Sequence, residues 1–184
     1  MAVSSLLMLD TNAVSAIVKG QAATLGASLK ERLFCISVIT EAELRFGLVR
    51  RAVNADLRRI VENFLVSVDI RPWTSATAQR YALLRTELEA SGKPLAPMDL
   101  LIAAHAQAED CTLVSADRAF AQVPGLRAFD WSVDSASAVR AKPARAGITA
   151  RDIEAARVHA RTPVRQTAPK TKAKKKPNKK LKAK

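Results

Sequence analysis

Four acidic side chains stand at junctions where chemistry could be built. Asp10 follows directly on the apolar run 6–9 (LLML), and Asp117 comes just beyond a second run, 112–114 (TLV). Glu43 falls near the start of the helix expected after residues 34–38 (FCISV), and Asp99 in the first turn of a helix opened by Pro97. Each has an ordinary alternative. Asp10 and Asp117 fit helix N-caps, Glu43 fits the S/T-x-x-E box with Thr40, and Asp99 suits the positive end of a helix dipole. Together they suggest more. If all four lie on one edge of a parallel sheet, each pair at ~4 Å repels by about 4 kcal/mol at an effective dielectric of ~20. A divalent cation removes that cost. Oxygen donors without His or Cys suit a hard ion, Mg2+ or Mn2+, and such an ion can activate water against a phosphodiester.

Elements able to place these acids can be read from the hydrophobic pattern. Short strands are expected at residues 6–9, 34–38, 68–71, 112–114 and 127–129. Helices are expected at 11–18, 22–32, 40–52, 54–66, 74–90 and 97–109, with a short one at 117–121. Strands alternate with helices, and the main strands are apolar on both faces. That pattern predicts an α/β fold, a doubly wound parallel sheet flanked by helices, whose ligands bind beyond the carboxyl ends of the strands.

Charge divides the chain. Residues 1–134 carry 14 basic and 15 acidic side chains, whereas residues 135–184 carry 16 and 2. A near-neutral domain, 1–134, is therefore expected ahead of a basic linker with a possible helix, 135–162, and a disordered lysine-rich tail, 163–184, whose charge and prolines oppose a packed core. The first ten residues lack the basic start of a secretion signal, and no apolar run reaches the ~20 residues of a membrane span. A cytoplasmic protein that does not enter membranes is expected. Cys35 and Cys111 lie in apolar runs without CxxC spacing and read as small buried side chains. His105, six positions beyond Asp99, faces elsewhere and reads as structural, and His159 is given no role.

The segments MLDTN (8–12), ISVITEAELRFG (36–47), GKPLAPMDLLIAAHA (92–106), LVSADRAF (113–120) and VPGLRAFDWS (123–132) resemble, in order and spacing, the PIN-domain ribonucleases, and within them the VapC-type toxins of bacterial toxin–antitoxin pairs. By that resemblance Asp10, Glu43, Asp99 and Asp117 match the acids of the active site. Asp10, Asp99 and Asp117 would ligate the metal, and Asn12 and Ser115 would support them from behind. The resemblance further implies an endoribonuclease dependent on Mg2+ or Mn2+, homodimeric, acting on structured RNA with tRNA as a candidate substrate, and held in check by a cognate antitoxin protein. Two departures are visible. The chain continues about fifty residues past the last matching segment, and Ala116 stands where some relatives carry an amide.

RNA also needs cationic contacts. Arg45, Arg50, Arg51, Arg58 and Arg59 cluster on two successive helices, and Arg85 lies on the long helix before Asp99. Of these, Arg45, Arg50, Arg51 and Arg85 are candidates for a phosphate-tracking rim. The alternative function is a catalytically inert nucleic-acid-binding protein working through its basic tail. Other doubly wound enzymes fit poorly: D-x-D is absent after the first strand, and neither GxGxxG nor GxxxxGK[ST] occurs.

Overall fold

Apolar residues on both faces of a strand require cover on both sides, and that is how the chain folds. The computed structural model describes residues 6–133 except 31, 51 and 52. Strands β1 (Leu7–Leu9), β2 (Phe34–Ser37), β3 (Asp69–Arg71), β4 (Thr112–Val114) and β5 (Ala128–Phe129) form one sheet in the order β3-β2-β1-β4-β5. Every pairing is parallel. Helices α1 (Thr11–Val18), α2 (Ala23–Leu29), α3 (Val38–Arg50), α4 (Ala55–Ser67), α5 (Ser75–Ala90) and α6 (Pro97–Ala108) flank it. The doubly wound α/β expectation is met. The helix expected within 135–162 and the disorder expected over 163–184 lie outside the described residues.

Alternation sorts the strand side chains into two cores. Leu7, Leu9, Phe34, Ile36 and Val114 pack with Val14 and Ile17 of α1, Leu25 and Leu29 of α2, and Val61 and Phe64 of α4. Met8, Cys35 and Leu113 point the other way, against Leu84 and Leu88 of α5 and Ile102, Ala103 and Ala106 of α6. Full burial of each Leu, Ile or Phe contributes roughly 1.5–3 kcal/mol. Cys35 and Cys111 are free and buried, as expected.

Local chemistry sets the helix ends. Asn54 Oδ1 accepts from Leu57 N at 2.7 Å and caps α4. Thr74 caps α5, and Gly92, at φ +67°, takes the left-handed turn just past that helix. Pro97 opens α6 at a position where its missing N–H costs nothing. One expectation is corrected. Helix α3 starts at Val38, two residues earlier than the pattern suggested, because the Ser37 hydroxyl accepts from Ile39 N at 3.0 Å. Thr40 is therefore inside the helix and buried, and the Thr40–Glu43 capping box does not form.

Among the described residues no helix is long and apolar enough to cross a membrane.

Candidate active site

The winding of the sheet gathers the acids. After β1 the chain winds one way through β2 and β3, then returns to place β4 and β5 on the other side of β1. The carboxyl ends of β1 and β4 flank the switch point, where open α/β sheets bind ligands. Helices α1 and α3 begin at this edge because they follow β1 and β2. Helix α6 begins there because it runs back to feed β4. Asp10, Glu43 and Asp99 belong to those starts, and Asp117 follows the end of β4.

Asp10 is the most constrained of the four. It is buried, and its backbone N–H donates to Val114 O at 3.1 Å, closing β1 against β4. It caps α1 by accepting from Thr11 N at 2.6 Å through Oδ1. Its Oδ2 accepts from Asn12 Nδ2 at 2.7 Å and from Ser115 Oγ at 2.8 Å. The N-cap reading of Asp10 is thus correct, and it leaves the second carboxylate oxygen for the network.

Asn12 uses its whole amide. Nδ2 donates to Asp10 and to Ser115 Oγ, the latter at 2.8 Å, while Oδ1 accepts from Ala116 N and Trp131 Nε1, each at 3.1 Å. Ala116 N and the indole N–H can only donate, so they fix which amide end faces Asp10. Ser115 Oγ in turn accepts from Asp117 N at 3.0 Å. Asp117 is exposed and caps the 3₁₀ turn Arg118–Gln122 by accepting from Ala119 N at 2.8 Å. Glu43 is reached from α1, where the Thr11 hydroxyl donates to its Oε2.

Electrostatics tie these acids together. Asp99 is pushed up to about 6, first by burial and then by the charges of Asp10, Asp117 and Glu43. Burial also raises Asp10, against the lowering effect of the Ser115 and Thr11 hydrogen bonds, with Glu43 and Asp117 adding to the rise. The groups acting on Asp99 are the other three acids, so the four share one field. Among the described residues, however, no three His, Cys, Asp or Glu side chains form a ready-made cage for an ion. In donor chemistry the acids fit a hard divalent cation: all are carboxylates, and their mutual repulsion is what such an ion would relieve.

The candidate cationic residues are more dispersed. Arg45 pairs with Glu41 at 2.8 Å along α3, and Arg50 lies over the Phe46 ring at 5.8 Å. Arg85 pairs with Glu89 at 2.7 Å and donates to Tyr81 Oη at 3.1 Å on α5. Arg51 falls outside the described residues. His105 is buried, with Nδ1 2.8 Å from Ser37 Oγ and its ring edge-on to Trp73, which agrees with a structural role.

Sequence reasoning missed Thr11 and Trp131. Thr11 is signalled only by a hydroxyl next to the first acid. Trp131 is the sole indole near the end of the α/β pattern, and nothing local marks its partner.

Comparison with known proteins follows the same edge of the sheet. The PIN domain family model matches residues 7–126. The chain is 32% identical over 128 residues to the tRNA(fMet)-specific endonuclease VapC of Shigella flexneri, covering 68% of this chain and 97% of that one. It is 32% identical over 127 residues to ribonuclease VapC2 of Haemophilus influenzae, covering 67% and 96%. Among solved structures it is similar to VapBC2 from Rickettsia felis bound to a promoter DNA fragment, with 30% identity, a TM-score of 0.63, and coverage of 67% of this chain and 97% of that one. DNA-bound VapBC from Salmonella typhimurium gives 29% identity, a TM-score of 0.63, and coverage of 69% and 98%.

Proposed function

Because the chain belongs to the VapC-type PIN-domain ribonucleases, toxins of toxin–antitoxin pairs, we propose that it cleaves structured RNA through Asp10, Glu43, Asp99 and Asp117. PIN-domain nucleases are typically metal-dependent. The carrying observation is the shared field of the four acids, visible in the rise of Asp99 to about 6.

Asp10, Asp99 and Asp117 would hold Mg2+ or Mn2+, with Glu43 beside them. When bound, such a cation supplies a water of lowered pKa and neutralises charge developing on the phosphate. The chain's own residues do the positioning. Three donors hold the Asp10 carboxylate, so both its oxygens are oriented before any ligand arrives. Thr11 directs Glu43, which is placed to orient the attacking water and take its proton. Ser115 links Asp10 to the backbone of Asp117, so the two acids move as a unit.

Substrate and partners follow from the relatives. The Shigella protein's name specifies tRNA(fMet), and tRNA is the proposed substrate here. Arg45, Arg50, Arg51 and Arg85 are proposed to contact its phosphates. A cognate antitoxin, a homodimeric assembly and a cytoplasmic site of action complete the reading.

The test is cleavage of purified tRNA with Mg2+, with Mn2+ and with EDTA, with 5′-end sequencing of the products. Cleavage should require the metal and fall by orders of magnitude in Asp10→Asn, with an unchanged circular dichroism spectrum. Cleavage that survives EDTA would overturn the metal mechanism.

A further inference from the structure

The basic segment beyond residue 134 has no counterpart in the Shigella relative. The 128 residues shared with that protein span 97% of its chain but 68% of this one. The nuclease domain of a relative is therefore complete without it, and its task must be additional to the catalytic fold.

The structure fixes where this segment starts. β5 (Ala128–Phe129) runs parallel to the other strands, so the chain leaves the sheet at their carboxyl edge, the edge of the four acids. Trp131, two residues on, donates its indole N–H to Asn12, which itself donates to Asp10. Ser132 N and Oγ both donate to Asp130 Oδ1, at 2.9 and 2.6 Å, and Val133 is exposed. The segment is thus rooted one side chain away from Asn12.

We propose that residues 135–184 bind the phosphates of the RNA substrate and retain it at the cleavage edge; this rests on the ribonuclease reading above. The catalytic edge concentrates negative charge, and residues 1–134 carry 14 basic against 15 acidic side chains, so the domain offers RNA little net attraction. Arg45 and Arg85 are already engaged by Glu41 and Glu89. The 16 basic and 2 acidic residues of the extension supply the missing cations. Tethering at Trp131 makes their encounter with a docked RNA intramolecular, which raises their effective concentration. The extension contains no Phe, Tyr or Trp, so it lacks stacking groups for bases and reads backbone charge alone. It therefore acts on retention of the substrate and leaves the choice of bond to the acid cluster.

The experiment compares the full chain, a chain ending at Asp134, and a full-length variant carrying Lys174→Gln, Lys175→Gln, Lys176→Gln, Lys179→Gln and Lys180→Gln. Cleavage of a tRNA and of a short oligonucleotide spanning the cut site is followed across a KCl series. Binding to the same RNAs is measured by fluorescence anisotropy in EDTA, and circular dichroism checks the fold. Truncation should raise KM for the tRNA about tenfold or more, leave kcat unchanged, and hardly affect the oligonucleotide. The log–log salt slope should flatten by about 0.7 for each single-strand phosphate that the extension no longer neutralises, with the lysine variant in between. Equal KM, affinity and slope in full and truncated chains would overturn the proposal. So would an extension that strengthens binding to duplex DNA while leaving RNA unaffected. Failure of the ribonuclease reading is distinguishable, because neither chain would then cleave while the anisotropy comparison still reads the extension.

Discussion

Trp131 Nε1 lies 3.1 Å from Asn12 Oδ1, and this single hydrogen bond joins residues 119 positions apart. It accounts for one of the two bonds that the Asn12 amide oxygen accepts. The opposite amide end is then aimed at Asp10 and Ser115. An indole at the far end of the domain thereby sets the orientation of the first acid, and the ring itself packs on the core beside β1.

Replacing the indole by a ring without the N–H isolates this effect. Trp131→Phe keeps an aromatic body in place and removes one donor, at a stability cost of about 0.5–1.5 kcal/mol. We expect kcat to fall severalfold with KM little changed. The protein has two tryptophans, Trp73 and Trp131, so the assigned indole proton resonance reports the bond directly. Substituting Asn12→Ala should increase its solvent exchange. An indole signal indifferent to Asn12 would refute the coupling.

Thr11 joins two acids. Its backbone N–H is given to Asp10 and its hydroxyl to Glu43. Thr11→Val retains shape and the backbone donation but loses the second bond. Cleavage should drop by about tenfold, below the full ~10²–10⁴-fold worth of a general base because Glu43 itself stays in place, and Thr11→Ser should restore most of it. Wild-type kcat in Thr11→Val would show that Glu43 needs no such support.

Asp99 yields a prediction in pH. Its folded pKa of about 6 stands above the ordinary carboxylate value of 3.8, so the folded protein holds an extra proton between those values. Stability from this group therefore falls as pH rises from about 4 to 6, and the loss is complete above 6. Asp99→Asn should raise the midpoint of thermal unfolding by a few degrees at pH 7.5, about 1 kcal/mol once solvent screening of this half-buried group is allowed for. The two proteins should converge below pH 4. Adding Mg2+ at pH 7.5 should stabilise the native chain by mass action and leave the variant largely unmoved. A native chain insensitive to Mg2+ and Mn2+ would contradict the ligand assignment.

The elements were legible because they rest on local rules. Strands apolar on both faces, Asn54 and Thr74 before helices, and Pro97 at a first helical position all act within a few residues. The start of α3 was misread because Ser37, a buried strand residue, doubles as its cap, and a burial pattern alone does not reveal that use. The four acids were legible because strand ends and helix starts share an edge in a parallel sheet. What joins them was not. Thr11 to Glu43 and Trp131 to Asn12 depend on side chains from distant elements meeting, which spacing along the chain does not encode. The arginines show the converse limit: their positions are plain in the sequence, but the partners they take within their own helices are not.

The span of the Asp10 network also governs when activity can arise. Asp10 takes its hydrogen bond from Ser115, 105 residues downstream, and Asn12 takes one from Trp131. A nascent chain cannot complete these contacts until its last strand has been synthesised. Truncated products of translation would therefore lack an ordered cutting site, and a cell making this toxin would meet its activity only as finished molecules, after an inhibitor has had time to be present.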